Sequence, residues 1–145
     1  MGSEMASIRT YQDGDFDGVR AIWEEAFPGD PARNRAEFAI PAKLKVQPEL
    51  LLIAEADGEI IGTAMAGYDG HRGWLYAVAV SQSARRKGIG SMLIAEAERR
   101  LAAMGCGKVN LQVRATNHAT AQFYRKLGYQ AEERISMGKS IAAEG

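Results

Sequence analysis

The stretch that most constrains this chain runs from residue 74 to residue 104. "WLYAVAV" (74–80) is apolar throughout and reads as a strand buried on both faces. It runs directly into "SQSARRKGIG", where Arg85, Arg86 and Lys87 precede two glycines spaced G-x-G, Gly88 and Gly90. Beyond them Ile89, Met92, Leu93, Ala97, Leu101 and Met104 fall at helical spacing, and Gly105 ends the run as a C-terminal cap. A buried strand, a tight turn and a helix in succession demand a fold that layers helix on sheet. The turn also gathers unpaired helix N–H groups, the positive end of a helix dipole, bare glycine backbone and cationic side chains. Together these suit a pyrophosphate.

The common phosphate patterns do not fit. "GCGKVN" lacks the spacing and the Ser/Thr of a P-loop. Leu93 stands where a dinucleotide-binding GxGxxG needs its third glycine. The turn reads RxxGxG instead, as Arg85, Gly88 and Gly90. On those residues alone, a charged surface turn explains it equally well.

The rest of the chain supplies a sheet around this unit. "ASIRTY" alternates as a short strand, and Phe16, Val19, Ile22, Trp23 and Phe27 mark a helix capped by Asp13 or Asp15. "ARNRAEFAIPAKLKV" predicts a second helix broken by Pro41. "ELLLIAEA" and "EIIGTAMAGY" flank Asp57-Gly58, a strong hairpin signal. "KVNLQVR" predicts a strand, "NHATAQFYRKLG" a helix with Asn117 as N-cap and Gly128 past its end, and "YQAEERISMGKSI" a closing strand. The order β α α β β β α β α β predicts an α/β mixed sheet with helices on both faces, the "VAV" and "NLQV" strands being parallel. The 145 residues fit one domain over 1–145, with residues 1–4 resembling an addition ahead of Met5.

Two motifs in this order resemble those of the GNAT N-acetyltransferases. RxxGxG after a buried strand is similar to the family's acetyl-CoA turn. "NHATAQFYRKLGY" (117–129) is similar to its N-x-x-A-x-x-F-Y-x-x-x-G-[FY] block, with Ala121 displaced by one and Phe123, Tyr124, Leu127, Gly128 and Tyr129 in place. "AGYDGHRG" further resembles small bacterial members of YpeA type. The element order matches the family over nearly the whole chain.

The resemblance implies a GNAT fold with a central mixed sheet of about six to seven strands. It implies acetyl-CoA as acetyl donor and a single-domain N-acetyltransferase working by direct attack in a ternary complex. Val78, Ala79 and Val80 would hydrogen-bond the pantetheine arm, and Arg85, Arg86, Lys87, Gly88, Ile89, Gly90 and Ser91 would hold the pyrophosphate. The proline common in the family's strand-to-helix loop is missing here. Tyr124 would be the general acid, also touching the cofactor, and Asn117 would contact the cofactor arm besides capping its helix. Arg125 and Lys126 suit either a 3′-phosphate or a solvated face.

Transfer to an amine requires the neutral amine, which is about one part in 2,500 of an alkylammonium at pH 7. A base or water chain must take the proton. The strand 74–80 carries no carboxylate, so the weak base candidates are Glu55, Asp69, His71 and Tyr76. Asp69 equally suits an Asx turn and His71 an exposed turn. Backbone N–H of Val80 or a neighbour is the expected oxyanion donor. Tyr68, Trp23, Phe27 and Trp74 suit either an acceptor pocket or the core.

The totals exclude several classes. Eighteen basic residues balance eighteen acidic ones, so no global field attracts nucleic acid or an anionic membrane. There is no apolar run long enough to span a bilayer and no secretory leader pattern. The lone Cys106 permits no intrachain disulfide and suits a cytoplasmic protein. No residue set has metal-ligand spacing, so no metal is expected. The implied partner is an amine acceptor, small molecule or protein; a homodimer is compatible with such a fold. The alternatives are a non-catalytic acyl-CoA-sensing module and an unrelated nucleotide-binding domain.

Overall fold

The computed structural model describes residues 6–141. The segment 1–4, with its expected addition, lies outside the described residues. By contact the chain divides into two compact units, Met1–Asn110 and Leu111–Gly145.

In the first unit, β1 (Ser7–Thr10) leads to helix α1 (Phe16–Ala26) and helix α2 (Ala36–Leu44). Strands β2 (Leu51–Ala56), β3 (Glu59–Tyr68) and β4 (Gly73–Val80) follow, then helix α3 (Ile89–Ala103) and the short strand β5 (Val109–Asn110). The sheet order is β1-β2-β3-β4-β5. All neighbours are antiparallel except β4 and β5, which are parallel across the α3 crossover as the handedness rule requires.

Local sequence explains these elements. Asp57 and Gly58 both take positive φ, +53° and +78°, the geometry a two-residue hairpin turn needs between β2 and β3. Val19, Ile22 and Trp23 lie on one stripe of α1 and are buried. They pack with Ala36 and Ile40 of α2, Leu51 and Ile53 of β2, and Ala79 of β4. Each fully buried Leu or Ile contributes roughly 1.5–3 kcal/mol. α3 covers the other face. A Cβ on Gly62 would meet Leu93 Cδ1 at 3.1 Å and Ile89 Cγ2 at 3.2 Å, while the next residue, Thr63, faces Trp23 of α1. At the start of β4, a Cβ on Gly73 would come within 2.8 Å of Cys106 Sγ, so glycine lets the strand approach the end of α3.

Pro41 does not break α2, which is continuous from Ala36 to Leu44. The break falls at extended Arg35, after a separate 3-10 turn over Ala32–Asn34. Pro41 is the sixth residue of α2, so it forfeits only the one N–H that would have reached the Glu37 carbonyl.

The second unit contains helix α4 (His118–Lys126). Asn117 caps it, its Oδ1 accepting the Thr120 N–H at 3.2 Å. The sheet has five strands among the described residues, fewer than the six to seven expected. Among the described residues the predicted strand 108–114 pairs only at Val109 and Asn110, with Gly73 and Trp74 of β4. The predicted closing strand within 129–141 has no regular structure. Ile135, Met137 and Ile141 are exposed there, so no buried face exists to fix a register.

Candidate active site

β4 carries the site. Its register on β3 runs Tyr68↔Gly73, Gly67↔Trp74, Ala66↔Leu75 and Met65↔Tyr76, then jumps to Thr63↔Ala79 and Gly62↔Val80. Ala77 and Val78 therefore share one partner, Ala64, which is a β-bulge. Ala77 adopts φ +50°, a left-handed conformation unfavourable for a residue with a Cβ. On its other edge β4 pairs with β5 only at Gly73 and Trp74. Among the described residues, 75–80 thus present one backbone edge without a strand partner. Val78, Ala79 and Val80 lie on it.

The turn after β4 continues the site. Gln82–Ala84 forms a 3-10 turn, and Arg85 Nε reaches back to the Val80 carbonyl at 3.3 Å. Arg86 takes φ +68° and Gly88 φ +78°, which coil the backbone into the start of α3. No side chain caps that helix start. The first-turn N–H groups of Ile89, Gly90 and Ser91 therefore have no side-chain acceptor at the cap. Arg85, Arg86 and Lys87 are exposed and form no ion pair among the described residues. A Cβ at Gly88 would meet nothing within 4 Å, so the space beside this backbone is open. Uncapped amides, unpaired cations and open space fit a phosphate-bearing ligand.

The base candidates are scattered. Glu55 lies on β2, separated from β4 by β3, and accepts from Arg9 Nε at 2.6 Å. Asp69 Oδ1 accepts the N–H groups of His71 and Arg72 at 2.8 Å each, and these bonds hold its carboxyl below the usual range. His71 is exposed in the same turn. Tyr76 stands next to the bulge, half exposed, and burial of part of its ring pushes its phenol up, with the Asp69 charge adding to the effect. Trp23 is core, only 4% exposed, rather than a pocket wall. Tyr68, Phe27 and Trp74 are partly buried.

In the second unit Tyr124 is buried and stacks edge-on with Phe123 and Tyr129 at centroid distances of 5.1 and 5.6 Å. Burial pushes its phenol up to about 12, so it stays protonated at neutral pH.

Sequence reasoning missed Thr63 and the bulge at Ala77. The available signal was one β-branched polar residue inside the apolar run "EIIGTAMAGY". Thr63 is fully buried; its Oγ1 accepts from Trp23 Nε1 at 2.9 Å and donates to the Ala77 carbonyl at 3.0 Å. Nothing in "YAVA" marks Ala77 as left-handed.

A strand unpaired along part of one edge beside a glycine-opened helix start is the arrangement that the resemblance to acetyl-CoA-using acyltransferases implies. Residues 16–129, spanning both units, match the acetyltransferase (GNAT) family, and the chain belongs to it. It is 40% identical over 137 residues to acetyltransferase YE1169 of Yersinia enterocolitica, covering 94% of this chain and 96% of that protein. It is 41% identical over 134 residues to acetyltransferase ECA0875 of Pectobacterium atrosepticum, covering 92% and 94%. The fold is similar to that of the aminoglycoside N-acetyltransferase AAC(6')-Iy in complex with CoA, with TM-score 0.77, 22% identity and coverage of 96% and 97%. Ard1 from Thermoplasma volcanium has the same fold at TM-score 0.77 and 22% identity, covering 85% of this chain and 81% of that one. The chain is an N-acetyltransferase.

Proposed function

We infer that this enzyme takes the acetyl group from acetyl-CoA and places it on a primary amine by direct attack. The observation that carries this reading is the free edge of β4 at residues 75–80, leading into the uncapped start of α3. A bound acetyl-CoA would supply an activated acyl group on a thioester. Val78, Ala79 and Val80 would hold the pantetheine arm as an added strand. Backbone N–H groups from Arg86 to Ser91 would hold the pyrophosphate, and Arg85 and Lys87 would add charge. The relative crystallised with CoA supports this assignment.

Three tasks fall to the chain. A backbone N–H in the span 78–80 stabilises the oxygen that gains negative charge as the amine adds. Tyr124, protonated at working pH, donates its proton to the departing thiolate. The ammonium nitrogen must lose two protons, one before it attacks and one as the C–N bond forms, and the second makes good the proton that Tyr124 gives up. Glu55 is held by Arg9 and Asp69 by its own turn, which leaves the exposed His71, or water leading to bulk solvent, to take the first proton. Tyr76, its phenol pushed up by partial burial, stays protonated at neutral pH and so is not available as the base. The bond formed is C–N and the bond broken is C–S.

Acetyl-CoA incubated with the protein and a panel of primary amines tests this. Thiol release that depends on both protein and one class of amine is expected. Acetyl-CoA binding with no amine-dependent release from any small molecule or peptide would favour an acyl-CoA-sensing role.

A further inference from the structure

Among the described residues, the buried polar or charged ones are Asp15 and Thr63. Asp15 is explained by Arg9, whose guanidinium grips both of its oxygens. Thr63 calls for a different account. A buried threonine in mid-strand normally gives way to valine, which has the same shape and no hydroxyl to satisfy. Here the hydroxyl is fully used. It accepts the Trp23 indole N–H at 2.9 Å, which leaves its own proton for the Ala77 carbonyl at 3.0 Å.

That carbonyl belongs to the bulge. Ala77 at φ +50° sits in a conformation costing on the order of 1–3 kcal/mol for a non-glycine residue. Something must hold it there. The peptide joining Ala77 to Val78 is planar and trans, so its C=O and N–H point in opposite directions. Fixing the carbonyl on Thr63 therefore turns the Val78 N–H away from Thr63. β3, which carries Thr63, lies on one side of β4, and the strand-free edge lies on the other.

We propose that Thr63, itself held by Trp23, is a positioning residue that sets the Ala77–Val78 peptide so that the Val78 N–H faces the acetyl carbonyl of bound acetyl-CoA. The relay runs from α1 through β3 to β4. It binds the tilt of one catalytic peptide to the core rather than to a loop. Thr63 touches no substrate. The proposal rests on the acetyl-CoA reading above and adds which chain atoms make that reading work.

The test compares two ligands that differ only in the acetyl group. In titration calorimetry Thr63→Val weakens acetyl-CoA by about threefold to tenfold, the worth of one neutral hydrogen bond. Coenzyme A, which has no acetyl carbonyl, is weakened less than acetyl-CoA, because it loses at most what the displaced Val78 contributes to holding the pantetheine arm. Thr63→Ser restores the hydroxyl and the acetyl-CoA affinity. In the ligand-free protein, the carbon-13 shifts and backbone couplings of Ala77 report its positive φ in the parent and the Ser variant, and its loss in the Val variant. Trp23→Phe removes the indole donor together with part of a buried ring and leaves the Thr63 hydroxyl in place, so it moves both readouts in the same direction but less far, which covers the case of a Thr63→Val protein that does not fold. Equal binding of acetyl-CoA by parent and Thr63→Val overturns the proposal. So does equal weakening of both ligands, or a Ser variant that behaves like Val. A parent that binds neither ligand sinks the acetyl-CoA reading instead, while the Ala77 signals still decide whether Thr63 holds the bulge.

Discussion

Asp69 accepts the backbone N–H of His71 at 2.8 Å, and with the Arg72 N–H this makes the carboxylate the hub of its own turn. Two backbone donors lower its pKa, which makes it a weaker base, not a stronger one. Asn retains an acceptor oxygen for the turn and removes the charge. Asp69→Asn is therefore expected to keep kcat within about threefold, because general-base loss costs on the order of a hundredfold or more. Amine-dependent thiol release measures it, and a loss of that larger size would make Asp69 the base.

Gly90 lies in the first turn of α3, whose start no side chain caps. A carboxylate there opposes a ligand phosphate. Gly90→Asp is expected to weaken acetyl-CoA on the order of tenfold to a thousandfold, depending on how well water screens the pair. Melting temperature should change little by comparison. Unaltered affinity in calorimetry would remove this turn from the site.

Tyr124 has its phenol pushed up to about 12 by burial. Tyr124→Phe is expected to lower kcat on the order of a hundredfold, with acetyl-CoA affinity nearly intact. The sign of its pH effect is fixed. The folded pKa lies above the unfolded value near 10, so its contribution to stability is complete below pH ~10 and is lost as pH rises toward 12. The phenol also stays protonated through pH 9, so kcat should show no alkaline fall from this group below that pH.

Arg9 joins three elements. Its Nη1 and Nη2 hold Asp15 at 2.8 and 3.0 Å, and its Nε holds Glu55 at 2.6 Å. Arg9→Met strands two carboxylates and is expected to cost on the order of 2 kcal/mol in urea unfolding. Arg9 lowers the Asp15 pKa, and Arg99 and then Arg100 lower that of Glu96 to about 2. Folded values below unfolded ones contribute stability that is present above pH ~4.5 and lost as pH falls toward 2. Acid unfolding followed by circular dichroism should begin in that window, and Arg9→Met should flatten the Asp15 part of it.

The hairpin, α1, α3 and the glycine turn were legible because each rests on local chemistry: Asp57-Gly58, the Val19–Ile22–Trp23 stripe, and the cations before Gly88. The C-terminal third was less legible. "KVNLQVR" alternates well enough for a strand, yet a strand also needs a neighbour, and among the described residues its pairing with β4 covers only Val109 and Asn110. The bulge left no local trace, since alanine has no preference for φ +50°. It is set by a hydroxyl fourteen positions away, a long-range contact invisible to periodicity. The base candidates looked equivalent in sequence, and only their partners in space set Glu55 and Asp69 apart.

The acetyl-CoA site proposed here lies along the free edge of β4 and the start of α3. Calorimetric titration with acetyl-CoA, and with ATP as control, tests it most directly. The account predicts binding of acetyl-CoA in the micromolar range and none of ATP at the same concentrations. Binding of neither, or of ATP alone, would contradict it.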